Sequence, residues 1–362
     1  MTAPAHADPA SVSSRKGRPT AARIKHVPEL DAIRGVAALS VVLFHAFPYA
    51  LFFGWSFVDC FFVLSGYLIT TILLANVDSP RLLSAFYFRR ALRIWPVYYG
   101  TLALVLIANM LARTGFPTTR AGLAQHLFFV QNVQDMWGGT PPDFVAPFSP
   151  SWSVAIEEQF YLAWPLLITF FGRRCVVPVA CMLLVATTIY QCVGAPMFTL
   201  LSRGDGLAAG CLLAALVEHP DHDRVVKILR ALLLGGIAVA LCAAVFWHDP
   251  RLPTAPWRAL LFKAFACIFA GAVGLTVRFS GHPWLAPLRW RGAALLGLIS
   301  YSLYMLHLPL FNWMPVILAR AGVSSPSLRE ALVWISIFAA PACSYVLVER
   351  PILTLKRLVD YA

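Results

Sequence analysis

Two side chains with different chemistry share one face of an apolar stretch, RGVAALSVVLFHA, at residues 34–46. Arg34 opens the stretch and His45 follows 11 residues later, which is three helical turns plus about 20°. The two residues lie about 16 Å apart along the helix axis. A neutral imidazole here is a candidate general base for a hydroxyl proton. The alternative is a histidine that only makes a hydrogen bond between packed helices.

Three carboxylates follow in apolar surroundings. Asp59, in FVDCFFVLSGYLIT, could orient the imidazole or could only favour the start of a helix. Glu157 and Glu158, in SWSVAIEEQFYL, are adjacent and point about 100° apart, so only one of them can face a given cavity squarely. The sequence does not choose between them. With His45, these three carboxylates are the candidate catalytic residues.

A group of arginines follows in FYFRRALRIWPVYYG, residues 86–100. Arg90 and Arg93 are three residues apart and share a helix face. Guanidinium groups bind phosphate oxygens in bidentate geometry, so this pair, with Arg34, is a candidate site for a nucleotide-bearing donor. The alternative is that these arginines only mark the cytoplasmic side of a membrane.

Further polar residues of other apolar stretches are candidates for binding an acceptor, four of them at predicted outer ends and two within the stretch ISYSLYMLHLPLF. They are Trp152, Ser153, Arg203, Asp205, Tyr304 and His307. His307 could instead be a satisfied hydrogen-bond donor between helices. Ser65 and Gly66 are interpreted as small residues that allow close helix packing.

The elements that carry these residues are apolar runs of membrane-spanning length. Hydrophobic residues make up 59% of the 362 residues and charged residues 13%, with a mean hydropathy of +0.71. A soluble domain has about 25% charged residues. The sequence predicts an all-α polytopic membrane protein with about ten transmembrane helices. These predicted spans are 34–53, 57–76, 94–112, 152–172, 175–192, 203–218, 228–247, 257–278, 293–319 and 328–349.

Charge placement predicts the orientation. With the N-terminus inside, 21 of the 29 Lys and Arg residues fall on the inner side of the predicted spans and 7 on the outer side. This bias puts both termini in the cytoplasm and explains the net charge of +12 without a nucleic-acid partner. Residues 1–28 are expected to be a disordered cytoplasmic tail, with a targeting segment as the alternative. Residues 352–362 are expected to be a short cytoplasmic tail.

Six stretches together resemble the acyltransferase-3 family of membrane acyltransferases. In chain order they are ELDAIRGVAALSVVLFHA, FVDCFFVLSGYLIT, FYFRRALRIWP, SWSVAIEEQFYL, ISYSLYMLHLPL and VERP. The Arg–ten residues–His pattern of the family falls on Arg34 and His45, and its R-x-x-R pattern on Arg90 and Arg93. The resemblance implies one acyltransferase domain over residues 29–351.

The resemblance also implies a function. Family members move acyl groups, usually acetyl from acetyl-CoA, onto surface carbohydrates such as exopolysaccharide or lipopolysaccharide. We expect a multi-pass protein of the cytoplasmic membrane that contacts membrane lipids, binds a glycan or lipid-linked glycan acceptor and needs no metal. His45 would act as general base or as an acyl-carrying nucleophile. The sequence does not predict the oligomeric state.

Two other function classes compete with the enzyme. Buried His, Asp and Glu residues also form proton relays, so a proton-coupled transporter or flippase is the alternative. The arginines at the predicted inner side, and the absence of internal repeats visible in the sequence, favour the enzyme. A non-catalytic membrane scaffold would not explain His45 within an apolar helix.

Overall fold

The protein is described by a computed structural model that covers residues 26–112, 120–133, 146–194, 196–246 and 255–361. These described residues form thirteen α-helices and no β-strand. The helices are α1 (Pro28–Ala46), α2 (Phe57–Ala75), α3 (Leu82–Ala112), α4 (Arg120–Leu127), α5 (Ser151–Phe171), α6 (Val176–Cys192), α7 (Leu200–Arg203), α8 (Asp205–Val217), α9 (His222–Phe246), α10 (Ala255–Arg278), α11 (Arg291–Arg320), α12 (Pro326–Ser344) and α13 (Arg350–Thr354). Residues 1–25, most of the predicted tail, lie outside the described residues.

The helices confirm the predicted class of a multi-pass helical membrane protein. Eight of the described helices are long and apolar enough to cross a bilayer. The other two predicted spans, 34–53 and 203–218, correspond to α1 and α8. Helix α1 begins with a charged turn, and α8 has 13 residues, which extend about 20 Å and not the roughly 30 Å of a hydrocarbon core. The predicted number of about ten is therefore approximate.

Two predicted boundaries differ from the structure. Helix α1 begins at Pro28, which suits a first helical turn, and ends at Ala46 rather than at residue 53. It stops before Pro48, because proline disfavours the helical conformation of the residue before it. Helix α3 begins at Leu82 rather than at residue 94. Its arginines interrupt the apolar pattern, but arginine is a good helix former and does not end the helix.

Helices α1 and α11 touch along their backbones at two glycines. A Cβ atom on Gly297 would lie 2.2 Å from the Asp31 carbonyl oxygen, and one on Gly35 would lie 2.7 Å from the Gly297 nitrogen. His45 lies ten residues after Gly35 and His307 ten residues after Gly297. Each histidine is therefore about 15 Å beyond the contact, which brings the two rings to the same level.

The start of α1 is fixed by a buried carboxylate. Glu29 is fully buried and accepts hydrogen bonds from the Gly281 N–H at 2.9 Å, the Ser280 hydroxyl at 3.0 Å and the Arg289 guanidinium at 2.9 Å. Burial alone would raise the pKa of Glu29, but these hydrogen bonds outweigh it and lower the pKa to about 2. Glu29 precedes the predicted span 34–53 and ties α1 to the segment after α10.

Helices α2 and α8 make a second close contact. A Cβ atom on Gly66 would lie 2.1 Å from the Leu207 carbonyl oxygen, and one on Gly210 would lie 2.2 Å from the Val63 carbonyl oxygen. Only glycine permits this approach. The interpretation of Gly66 as a packing residue is confirmed.

Candidate active site

A cavity of about 190 Å³ lies between α1, α2, α3, α5 and α11. It brings together residues that are up to 270 positions apart in the sequence. Its polar side chains are Arg34, Ser65, Arg90, Arg93, Ser153, Glu157, Tyr161, Ser300, Tyr301 and Tyr304. The three predicted donor-binding arginines therefore share one chamber with one of the predicted catalytic carboxylates.

The three cavity arginines lack counter-groups at bonding distance. No hydrogen bond or ion pair joins the guanidinium groups of Arg34, Arg90 and Arg93 to any residue in the described part of the chain. Arg93 is close enough to Arg34 and Arg90 to be repelled by both. The Arg90 guanidinium lies 5.5 Å from the Tyr161 ring centroid. Three half-buried cations in this arrangement favour a ligand with several anionic oxygens.

Glu157 is the carboxylate that faces this cavity. Its Oε1 accepts a hydrogen bond from the Ser65 hydroxyl at 2.8 Å, and its Oε2 accepts one from the Tyr161 hydroxyl at 2.9 Å. Arg34 and Arg90 are close enough to attract its negative charge. Ser65, interpreted from the sequence as a packing residue, is therefore a polar wall of the cavity, while its neighbour Gly66 makes the helix contact.

Glu158 points into a different space, a groove of about 310 Å³ between α3 and α5. Its Oε2 accepts a hydrogen bond from the Trp95 indole at 3.3 Å. Arg90 and Tyr161 line both the groove and the cavity. The structure thus answers the choice that the sequence left open, since Glu157 alone of the two lines the cavity.

Tyr304 closes the end of the cavity that Ser153 lines. The hydroxyl oxygens of Ser153 and Tyr304 are 2.7 Å apart, and both hydroxyl groups lie within 3.2 Å of the Pro150 carbonyl oxygen. The Tyr304 ring centroid is 6.0 Å from that of His307, one turn further along α11. Tyr304 therefore lies between the arginine cavity and the histidine pair.

His45 and His307 form a pair. The Nε2 atom of His307 lies 3.1 Å from Nδ1 of His45. The Nδ1 atom of His307 lies 2.7 Å from the Tyr304 carbonyl oxygen, and Nδ1 of His45 lies 2.9 Å from the Val41 carbonyl oxygen. Since a carbonyl oxygen only accepts, both Nδ1 atoms are assigned a proton, and Nε2 of neutral His307 accepts. Nε2 of neutral His45 then keeps its lone pair.

His307 and the Val41 carbonyl oxygen thus lie at Nδ1 of His45, whereas Asp59, which the sequence offered as one possible orienting group, is paired elsewhere. Asp59 is buried in an ion pair with Arg203, whose Nη2 atom lies 2.9 and 2.8 Å from the two carboxylate oxygens. A carboxylate held in this way is already neutralised. Its negative charge balances the positive charge of Arg203, which lies 144 residues later in the chain.

Arg203 and Asp205 lie away from the cavity. The Arg203 guanidinium is 2% exposed and lies 5.4 Å from the Trp152 ring centroid. Asp205 is fully buried and accepts hydrogen bonds from Thr187 and Gln191 at 2.6 Å each, besides an ion pair with Lys263. Both residues were predicted to bind an acceptor, but inside the bundle Arg203 is paired with Asp59, and Asp205 with Thr187, Gln191 and Lys263. Trp152 packs beside them and does not line the cavity.

One residue near the arginines escaped the sequence analysis. Glu349 lies in a π-helical turn, Tyr345–Glu349, and accepts a hydrogen bond from Ser302 on α11. It is close enough to Arg34 and Arg93 to attract their charge. The signal was present in VERP, one of the six family stretches, whose glutamate is an ionisable residue at the end of a long apolar run.

Comparisons with known proteins identify the family of this chain. The model of the acyltransferase-3 family, described as an acyltransferase domain, matches residues 27–349. The chain belongs to this family. The match covers nearly all of the predicted domain and every residue of the cavity.

Several curated relatives are O-acetyltransferases by name. The peptidoglycan O-acetyltransferase OatA of Listeria monocytogenes is 27% identical over an alignment of 371 positions. The alignment covers 91% of this chain and 56% of that protein. The putative peptidoglycan O-acetyltransferase YrhL of Bacillus subtilis is 29% identical, covering 79% of this chain and 48% of that protein. This acyltransferase-3 chain spans about half the length of these relatives. No solved structure matches it.

Proposed function

We propose that this acyltransferase moves an acetyl group from acetyl-CoA, bound from the cytoplasm, to a hydroxyl of a cell-surface glycan. The observation that carries the proposal is the cavity in which Arg34, Arg90 and Arg93 face one another without a bonded anion among the described residues. The family supports an acyl donor, and a donor that carries phosphates suits these cations. The cytoplasmic membrane is the proposed location, from the charge bias of the sequence.

The donor side of the proposal rests on the three arginines. Acetyl-CoA supplies a thioester whose carbonyl carbon accepts an oxygen nucleophile and whose thiolate leaves. Its phosphates fit the guanidinium groups of Arg90 and Arg93, with Arg34 beside them. Arg34 and His45 lie about 16 Å apart along α1, so an extended ligand can have its phosphates at one residue and its reacting end near the other.

The acceptor side rests on the histidine pair. The Nε2 lone pair of His45 removes the proton of the acceptor hydroxyl. The oxygen then bonds to the thioester carbonyl carbon, the carbon–sulfur bond breaks, and the proton passes to the leaving thiolate. His307 accepts a hydrogen bond from Nδ1–H of His45, which fixes the ring with Nε2 available. In the variant mechanism, Nε2 of His45 bonds to the thioester carbonyl carbon and the thiolate leaves. The acceptor hydroxyl then takes the acetyl group as the bond to Nε2 breaks and the hydroxyl proton passes to the thiolate.

The names of the relatives support a class of acceptor. OatA and YrhL are named for peptidoglycan, a cell-surface glycan. We propose a hydroxyl of a surface polysaccharide, free or linked to a lipid, as the acceptor of this chain. Ser153 and Tyr304, at the end of the cavity next to the histidine pair, are the proposed contacts with that hydroxyl.

Release of free thiol from acetyl-CoA by the purified full chain tests the proposal. We expect release that depends on an added glycan with free hydroxyls, and that stops in His45→Ala. A transporter or flippase would move its substrate and leave the thioester intact. Absence of acceptor-dependent thiol release from folded protein, across a panel of surface glycans, would contradict the proposed function.

A further inference from the structure

The segment that follows α13 folds back against α3, beside the arginine cavity. The Nε atom of Arg89 donates to the Val359 carbonyl oxygen at 3.0 Å, and its Nη2 donates to the Asp360 carboxylate at 2.9 Å. The Arg89 guanidinium also lies 5.0 Å from the centroid of the Tyr361 ring. This segment, expected to be a simple tail, is held in place by one arginine of the RRALR stretch.

Lys356 lies in this docked segment and carries an unmatched charge. It is half-buried, and no hydrogen bond or ion pair joins its ammonium to any residue in the described ranges. The turn that carries it, Leu355–Leu358, packs against α3, and four arginines are close enough to repel its charge: Arg34, Arg89, Arg90 and Arg93. A fold that places a lysine against four like charges favours an anion at that point.

We propose that Lys356 forms a second phosphate subsite of the donor site, next to Arg90 and Arg93. This inference rests on the proposed function. Acyl-CoA carries a pyrophosphate and, separated from it by the ribose, a 3′-phosphate. One group of cations cannot contact both at close range, so a second cation is needed. Lys356 takes the 3′-phosphate while the cavity arginines take the pyrophosphate.

Arg89 is the anchor of this subsite rather than a ligand. Two of its five N–H groups bond Val359 and Asp360, which ties its guanidinium to the docked segment. Lys356 is half-buried within a short 3₁₀ turn, Leu355–Leu358, whereas its neighbour Arg357 is exposed. The same turn therefore carries a half-buried cation, Lys356, that can bind the ligand, and an exposed cation, Arg357, that serves as a matched control.

The phosphate of an anionic lipid headgroup has the same chemistry as the 3′-phosphate and could reach a cytoplasmic lysine. The two sources predict different results. A nucleotide phosphate makes the affinity for acetyl-CoA depend on its 3′-phosphate. A lipid phosphate leaves the affinity for acetyl-CoA independent of that group and makes it sensitive to added phosphatidylglycerol.

The experiment measures equilibrium binding of acetyl-CoA and of 3′-dephospho-acetyl-CoA to the purified full chain in a neutral detergent. We expect the wild-type protein to bind acetyl-CoA about 10-fold more tightly or better, as for one charge-assisted hydrogen-bonded contact. Lys356→Gln should bind the two donors equally, and Arg357→Gln should keep the wild-type preference. The measurement is repeated with phosphatidylglycerol in the micelles.

Two results would overturn the subsite: a wild-type protein without preference, or a Lys356→Gln variant that keeps the preference, including one that binds both donors more weakly by the same factor. Wild-type affinity that falls only when phosphatidylglycerol is added, without discrimination between the donors, would assign Lys356 to lipid instead. Failure of folded wild-type protein to bind either donor would contradict acetyl-CoA as the donor in the proposed function. These results are distinguishable from one another.

Discussion

The Nε2 atom of His307 lies 3.1 Å from Nδ1 of His45. The two rings lie between α1 and α11, about 15 Å beyond the glycine contact of these helices. Each histidine is ten residues from its own contact glycine, so the packing of two helices sets the distance between the two rings. His307 is fully buried, whereas His45 is half-buried. The pair thus has one ring that is enclosed by protein and one that an acceptor can reach.

His45→Ala should abolish transfer. The variant removes the proposed base, and general bases contribute about 10²–10⁴-fold in rate. Alanine suits an apolar helix at least as well as histidine, so expression and membrane insertion should not change. The measurement is acceptor-dependent thiol release at saturating acetyl-CoA. A variant that keeps more than about a tenth of the rate would show that His45 is not the base.

His307 should act on turnover through His45. His307→Ala leaves only the Val41 carbonyl oxygen to accept from Nδ1–H of His45, so the ring is held less firmly and kcat should fall by about 10-fold while donor binding stays unchanged. His307→Gln should restore part of kcat, because an amide oxygen can accept the same hydrogen bond. A purely structural role would instead lower the folded fraction in both variants and leave kcat per folded molecule intact.

Arg90→Ala and Arg93→Ala should weaken acetyl-CoA binding. Each removes charge-assisted hydrogen bonds worth about 1.5–3 kcal/mol, so the affinity should fall by roughly 10- to 150-fold. Lysine at either position should restore binding only in part, because an ammonium lacks the bidentate fork. Acceptor affinity should barely change.

Arg174→Ala is the matched control for these variants. Arg174 is an exposed arginine on the predicted inner side, whereas its neighbour Arg173 donates a hydrogen bond to the Leu74 carbonyl oxygen at 2.7 Å and has a structural contact to lose. Equal and small losses of donor affinity at residues 90, 93 and 174 would mean that the two cavity arginines serve only membrane orientation.

Glu157 and Glu158 should respond differently to the same substitution. Glu157→Gln breaks the charge balance with Arg34 and Arg90 inside the cavity and should lower the rate by about 10-fold. Glu158→Gln changes a carboxylate in the neighbouring groove and should alter the rate by no more than roughly twofold. Parallel kinetic assays of the two variants decide this, and a larger effect at Glu158 would place the reaction in the groove.

Stability should depend on pH through Glu29. Its pKa is lowered from an ordinary value of 4.5 to about 2, so the ionised form contributes stability that is complete above pH 4.5 and is lost as the pH falls towards 2. Thermal unfolding in detergent should show a falling midpoint over this window. Glu29→Gln should lower the midpoint at neutral pH and flatten the pH dependence. An unchanged slope in the variant would remove Glu29 as its cause.

The sequence predicts which residues share a face of the same helix. The 11-residue spacing of Arg34 and His45 fixes their shared helix face, and the spacing of Arg90 and Arg93 does the same. The helical membrane class followed from composition and run length. These inferences need only the geometry of one helix and the chemistry of the bilayer.

Contacts between side chains of different helices could not be predicted from spacing along the sequence. Asp59 has a carboxylate that fits either a histidine or an arginine, and only the fold, which brings the end of α7 to the start of α2, assigns it to Arg203. The choice between Glu157 and Glu158 depends on how α5 is rotated about its own axis relative to the other helices. Two adjacent glutamates in the sequence do not indicate that rotation. Lys356 stands in a segment whose composition is that of a tail, and its position follows from contacts of Arg89 with residues 270 positions later.

Transfer of labelled acetyl from acetyl-CoA by membrane vesicles tests the central claim most directly. Acetyl-CoA does not cross membranes, so inverted vesicles, which expose the cytoplasmic face, should form a base-labile labelled ester on glycan, and right-side-out vesicles should not. His45→Ala and Arg93→Ala vesicles should form none above background at low donor concentration. Equal labelling by the wild-type protein and His45→Ala, or labelling from the outer face alone, would contradict the account.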